Sequence, residues 1–190
     1  MYKRQGCIVS QRYDNAVNTK IYNDFRDVNK WINNQGSAPE WLQKISVHDF
    51  DLKNPKLHRS FMGLIVRKGS KDFLTGQLVK ISDCQDDHIF PKSVLSKKQI
   101  NVANSILNRT LISKNTNQHK SNKFPQTFLA DCLKKHGNNR TQLLETLASH
   151  FIYEDGFVAM QKNDFPAFVE CRRKAIQDEL LNIFSVAKCV

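Results

Sequence analysis

Apolar residues recur every three or four positions along most of this chain, which predicts a mostly helical protein. Such segments cover about residues 19–33, 41–45 and 57–67, and Gly69 is placed to end the third. The pattern returns in the C-terminal part. The helices predicted there cover residues 127–135, which follow Pro125, residues 141–152, and a long apolar stripe from Phe165 onward.

The middle of the chain breaks the helical pattern. Residues 81–87 are rich in Asp and Ser and predict a loop that leads into a short strand, which Pro91 should end because proline cannot donate to a strand ladder. Residues 109–112 predict a second strand, and Ser113 can cap a short helix that carries Asn117. The predicted fold class is α+β and mostly α-helical, with a helical domain that encloses a small unit of two strands and one helix.

Composition limits the protein class. The 190 residues, of which 40% are hydrophobic, suffice for one domain with a core, or for one domain and an extension. No apolar run approaches the roughly 20 residues of a membrane span, and the N-terminal residues lack the apolar region of a secretory signal. The five cysteines are far apart, and no Cys-x-x-Cys pair occurs, which disfavours a zinc knuckle or a disulfide framework. We therefore expect reduced thiols in a cytoplasmic protein.

The charge favours a polyanionic partner. There are 29 basic and 18 acidic residues, which give a formal net charge of +11. Residues 87–125 contain seven Lys or Arg side chains and a single acid, Asp87, which stands beside His88. A basic solvated face without a specific partner is the alternative interpretation.

Asp87 and His88, followed later by Asn108 and Asn117, form a compact set of groups for cutting a phosphodiester. Asp87 and Asn117 can each offer one hard oxygen to a divalent cation, and Mg²⁺ takes few protein ligands and keeps several waters. His88 can remove the proton from an attacking water. Asn108 could hydrogen-bond His88 or its backbone and fix the imidazole. Each residue could also be purely structural, since Asp and Asn are common in turns.

Strand geometry places a condition on this site. Successive side chains of a strand point to opposite faces, so Asp87 and His88 can serve one site only where the strand end is twisted or irregular. Pro91 lies close enough to make such an irregular end reasonable.

Neighbouring positions leave the assignments open. Asn115 and His119 each lie two residues from Asn117 and are alternative ligands, and His119 could instead touch a phosphate. The acidic alternatives to Asp87 are Asp83 and Asp86. The basic candidates for contact with DNA phosphates are Lys92, Arg109, Lys120 and Lys123, followed by Lys97 and Lys98. Arg172 and Arg173 either line the same cleft or are solvent-exposed positions of the last helix.

Residues 87–93 (Asp-His-Ile-Phe-Pro-Lys-Ser) and 106–120 resemble the ββα-metal motif of HNH endonucleases. In that family a His at the end of the first strand is the general base, a residue before it and one on the motif helix bind the metal, and a middle Asn orients the His. The resemblance assigns these roles to His88, Asp87, Asn117 and Asn108. It makes the site an H-N-N variant, as in the HNH domain of RNA-guided CRISPR effector nucleases, with Mg²⁺ or Mn²⁺ as the cofactor.

The chain also resembles the C-terminal domain of GmrSD-type restriction enzymes. The similar residues are Lys-Asp-Phe-Leu-Thr-Gly-Gln at 71–77, His150, Phe-Pro-Ala-Phe at 165–168, and the pair Arg172 and Arg173. The resemblance implies cleavage of modified or invading phage DNA. Such enzymes usually carry an N-terminal nucleotide-hydrolysing module with an Asp-Gly-Gln-Gln-Arg motif, which this sequence lacks. The chain is then either the nuclease domain of a longer protein or a stand-alone nuclease under different control.

These observations lead to one expected organisation. Residues 1–55 form an N-terminal helical segment, which could be the end of a preceding domain, and residues 56–190 form an HNH nuclease domain with its ββα core at about 80–122. The expected function is metal-dependent DNA cleavage with weak sequence preference. The alternatives are an RNase or toxin that uses the same motif, and a non-catalytic nucleic-acid-binding module, which would bind in a salt-sensitive way without needing a cation.

Overall fold

A computed structural model describes residues 55–186, with side chains described for residues 58–183. The helices predicted at 19–33 and 41–45, and the segment 1–55 as a whole, lie almost entirely outside the described residues. The described helices are α1 (Pro55–Arg67), α2 (Lys114–Lys120), α3 (Pro125–Lys135), α4 (Arg140–Ala148), α5 (Glu154–Gln161) and α6 (Phe165–Val186), and the strands are β1 (Cys84–His88) and β2 (Arg109–Ser113). None of these helices is long and apolar enough to span a membrane. The predicted class, mostly helical α+β, is confirmed.

The two strands form an antiparallel pair in which Asp87 lies opposite Thr110 and His88 lies opposite Arg109. β1 begins at Cys84, so the prediction of a loop over residues 81–87 is wrong for most of its length. The sequence Cys-Gln-Asp-Asp-His has little strand propensity of its own. β1 forms because β2, which buries Leu111 and Ile112 in the core, offers it a complete backbone partner.

The turn at the start of α2 is fixed at two points. Ser113 caps the helix as predicted, since its hydroxyl accepts a hydrogen bond from the Thr116 amide at 3.1 Å. The buried Asp72 accepts from the Ser113 amide at 3.0 Å and from the Thr116 hydroxyl at 2.6 Å. Burial acts to raise the pKa of Asp72, but the hydrogen bonds from Thr116 and Ser113 outweigh it and the pKa is lowered. Asp72 therefore remains a carboxylate that holds α2 against the chain before β1.

The helices of the C-terminal half differ from the sequence prediction in two places. α4 ends at Ala148 rather than at residue 152, and the short helix α5 is not predicted by the apolar spacing at all. The early end of α4 places His150 outside the helix, where it is fully buried. Its Nε2 donates to the Lys71 carbonyl at 2.6 Å, so its Nδ1 accepts from the Thr110 hydroxyl, also at 2.6 Å. Burial lowers the pKa of His150 to about 3, and it stays neutral behind the hairpin.

The hydrophobic core lies between the hairpin and the C-terminal helices. Phe90, just beyond β1, packs against Phe165 and Phe168 of α6, with ring centroids 5.3 and 5.0 Å apart. Phe73 packs against Phe128 of α3 in the same core. The long apolar stripe predicted for the last helix thus covers the end of the strand that carries Asp87 and His88.

Arg172 of α6 is buried, so both predicted positions for it, cleft and solvent, are wrong. Its Nη1 donates to the carbonyls of Leu107 and Arg109, each at 2.7 Å, and its Nε donates to the carbonyl of His150 at 3.1 Å. Burial lowers its pKa to about 9. The guanidinium therefore fastens α6 to the backbone at the start of β2, a role that helical spacing alone does not reveal.

Replacing Arg172 by Met should lower the free energy of unfolding by about 3 kcal/mol, because two buried carbonyls and one partly buried carbonyl lose their donor. Lys174→Met is the matched control, since Lys174 is an exposed basic residue of the same helix and its loss should cost less than about 1 kcal/mol. Urea unfolding followed by circular dichroism measures both changes. Equal losses in the two variants would contradict the structural role of Arg172.

Candidate active site

Helix α2 lies against one face of β1, and two contacts define their junction. Asn117 Nδ2 donates to Gln85 Oε1 at 2.7 Å, and Lys120 Nζ donates to Asp87 Oδ2 at 2.6 Å. Residues two apart on a strand share a face, as do residues three apart on a helix. Asp87 and Asn117, the two predicted metal ligands, therefore face the same helix–strand junction.

The donor set at this junction fits a hard divalent cation with few protein ligands. Asp87 offers a carboxylate oxygen and Asn117 an amide oxygen, and Mg²⁺ accepts one or two such ligands while it keeps its waters. Within residues 58–183 no three His, Cys, Asp or Glu side chains cluster as a metal site. A tetrahedral zinc centre, which needs three or four such ligands, does not fit this junction.

Lys120, a predicted phosphate contact, is buried at 3% exposure with its amino group on Asp87. A buried lysine normally requires a partner of opposite charge, and Asp87 is that partner. The ion pair neutralises the single acid of the basic segment. A phosphate reaches the Lys120 amino group only if this pair opens.

His88 contacts the other face of the hairpin, as alternation along a strand requires. Arg109 Nη1 lies 2.8 Å from His88 Nδ1 and 2.9 Å from Nε2, while its Nε donates to Asp86 Oδ1 at 2.8 Å. His88 is the last residue of β1 and still pairs regularly with Arg109, so within the ladder Asp87 and His88 face opposite sides of the strand and the irregular chain begins only after His88. Asp86, the alternative to Asp87 as a ligand, is thus engaged by Arg109 on the histidine's side.

The electrostatics around His88 favour the neutral imidazole. Burial lowers its pKa most, and the positive charge of Arg109 lowers it further, against the opposing effects of Asn104 and Asp87. A base must be unprotonated before it can accept a proton, so a lowered pKa makes His88 available as a base at neutral pH.

Asn108 is fully buried and its side chain bonds to the backbone. Its Oδ1 accepts from the Phe90 amide at 2.8 Å, and its Nδ2 donates to the carbonyls of Phe90 at 3.0 Å and Ala103 at 2.9 Å. These bonds fasten the segment after β1 to the loop before β2. The contact with the His88 imidazole comes instead from Asn104 Oδ1, 3.1 Å from Nε2. Asn104 lies in a loop without periodicity, so the sequence carries no signal for this contact.

The alternative ligands on α2 lie on other faces of the helix. Asn115 is exposed, and His119 Nε2 lies 3.1 Å from Asp131 Oδ2 of α3. Lys123 donates to that same oxygen at 2.7 Å. Of the three α2 candidates, Asn117 is the one that contacts β1.

Three other phosphate candidates follow β1 along the chain. Lys92 is exposed four residues after His88, and its charge contributes to lowering the histidine's pKa. Lys97 and Lys98 are exposed further along the same loop. The segment that follows His88 is therefore basic and exposed at these three lysines, which suits a polyanion.

One relative shows similarity along almost the whole chain. It is an uncharacterized protein of Methanocaldococcus jannaschii, 27% identical over 207 aligned residues that cover 94% of this chain and 36% of the relative. This chain thus spans about a third of that protein's length. No solved structure shows significant similarity. The resemblance to GmrSD-type restriction enzymes stays a prediction.

The unit of two strands and one helix that carries the site matches a known family. Residues 72–126 match the HNH endonuclease family. The matched span runs from Asp72 through both strands and α2 to the start of α3, and it contains Asp87, His88, Asn108 and Asn117. The match supports an HNH domain in this chain, with a nucleic acid as the implied substrate.

Proposed function

We propose that this protein is a metal-dependent DNA endonuclease of HNH type that hydrolyses phosphodiester bonds with weak sequence preference. The observation that carries the proposal is the end of β1. There a half-buried histidine with a lowered pKa follows directly on Asp87, whose carboxylate shares a junction with Asn117. A base and a pair of hard oxygen ligands thus come from one strand end and one helix.

In this mechanism the neutral His88 takes the proton from the water that attacks phosphorus. Asp87 and Asn117 would hold Mg²⁺ or Mn²⁺, which would supply positive charge to the phosphate and to the leaving oxygen. Arg109, beside the imidazole, and the exposed Lys92 are placed to contact the phosphates around the scissile bond. Asn108 keeps the strand end and the loop together while this occurs.

The proposed biological role is cytoplasmic restriction of foreign or modified DNA. It rests on the resemblance of residues 71–77 and of the C-terminal helix to GmrSD-type enzymes. The M. jannaschii relative is much longer than this chain, which is consistent with a nuclease domain that also works inside larger proteins. An N-terminal nucleotide-hydrolysing module is the proposed partner in that case.

His88→Ala should lower DNA cleavage by about 100-fold to 10,000-fold, since it removes the base but no phosphate contact. Supercoiled plasmid is incubated with Mg²⁺, Mn²⁺ or EDTA, and nicked and linear products are measured. EDTA should stop the wild type.

The matched control is His119→Ala, which removes an exposed histidine of the same motif and should cleave like the wild type. Full activity in His88→Ala would end the proposal. Cleavage of RNA but not of plasmid would favour the RNase alternative, and salt-sensitive binding without products would favour the binding module.

Asn117→Ala should raise the Mn²⁺ concentration needed for half-maximal cleavage by roughly 10-fold, because one of two protein ligands is lost. The control is Asn115→Ala, two residues away and exposed, for which that concentration should not change. A larger effect from Asn115→Ala would mean that the metal ligand lies on another face of α2 and that the assignment of Asn117 is wrong.

The cleavage rate should rise with pH and reach half its plateau below the usual histidine pKa of about 6.5. The midpoint should lie low because burial and Arg109 both lower the pKa of His88, which makes the neutral base available at lower pH. Arg109→Gln removes one of these influences and should move the midpoint upward. Single-turnover rates, each scaled to its own plateau, measure the shift, and a downward shift would contradict the assignment.

A further inference from the structure

We propose that Asn104 is a positioning residue for His88. Its side-chain oxygen accepts the hydrogen of Nε2 and thereby leaves Nδ1 as the atom that takes the proton. The inference rests on the proposed function, in which His88 is the base, and it adds a residue that this function does not require by itself.

The polar contacts of the imidazole indicate which ring nitrogen carries the hydrogen. Asn104 Oδ1 lies 3.1 Å from Nε2. The other polar group at the ring is Arg109 Nη1, 2.8 Å from Nδ1 and 2.9 Å from Nε2, and a guanidinium can only donate. Among the contacts described for this ring, Asn104 thus supplies the one acceptor. A neutral imidazole that donates to it must carry its hydrogen on Nε2 and its lone pair on Nδ1.

Arg109 cannot replace this function. One atom that lies almost equally far from both ring nitrogens is not aligned with either lone pair, so it acts on the ring mainly through its charge. Charge alone does not choose between the two tautomers. If Nδ1 carried the hydrogen instead, the proposed base atom would have no lone pair for the water proton.

Asn104 is exposed, but the backbone on either side of it is fixed. Ala103 and Ser105, on either side, are buried, and the Ala103 carbonyl accepts from Asn108 Nδ2 at 2.9 Å. Asn108 also bonds both backbone polar groups of Phe90, two residues after His88. Asn108 therefore sets the distance between the strand end and the loop, and acts on His88 through Asn104.

Nitrogen chemical shifts of the ring test the contact directly. Protein labelled with ¹⁵N-histidine is studied without metal or DNA near pH 8, well above the usual histidine pKa of about 6.5, and His88→Ala identifies the His88 signals. The wild type should show hydrogen on Nε2. Asn104→Ala should shift the signals toward a mixture of tautomers, whereas Asn104→Asp, which keeps an oxygen acceptor, should retain the wild-type form. Asn101→Ala, an exposed residue of the same loop, is the control and should match the wild type.

Cleavage kinetics give the second readout. Asn104→Ala should lower kcat by roughly 10-fold to 100-fold, while KM should stay within about two-fold because no substrate contact is lost. Asn104→Asp should recover most of kcat. Hydrogen on Nδ1 in the wild type, or unchanged ring signals in Asn104→Ala, would overturn the inference. If the wild type does not cleave DNA, the proposed function fails, and the ring signals still decide whether Asn104 fixes the tautomer.

Discussion

The buried amide of Asn108 is the constraint on which the site depends. It satisfies both backbone polar groups of Phe90 and the carbonyl of Ala103, so it joins the end of β1 to the loop that precedes β2. Buried backbone groups that lose such partners are costly, which keeps both segments in one arrangement. The position of His88 at the strand end, and of Asn104 across from it, follows from that arrangement.

The junction between β1 and α2 shows how a basic site can keep half-buried acids. Lys120 pairs with Asp87 at 2.6 Å, and Arg109 pairs with Asp86 at 2.8 Å on the other face of the strand. Each carboxylate thus has its own cation, and neither leaves an uncompensated charge away from water. The remaining exposed lysines keep the surface attractive to a polyanion.

Buried residues that are far away in the chain hold the ββα unit in place. Arg172 of α6 binds the carbonyls of Leu107 and Arg109, and His150 binds Thr110 and Lys71. The short polar strand β1 has little propensity or apolar surface of its own. The C-terminal helices therefore belong to the machinery of the site, since they fix the partner strand on which β1 forms.

The sequence by itself determined the helical class, the second strand, the Ser113 cap and the HNH resemblance, because periodicity, capping and motif spacing are local properties of the chain. It placed the start of β1 too late, missed α5 and mispredicted Arg172. Those features depend on groups that meet only in the folded protein, such as β2 for β1 and three distant carbonyls for Arg172. The same holds at the candidate site. The motif predicted His88, Asp87 and Asn117 as site residues. Only the tertiary structure shows that Asn104 contacts the imidazole and that Lys120 pairs with Asp87, because those contacts join a loop and a helix to one strand end.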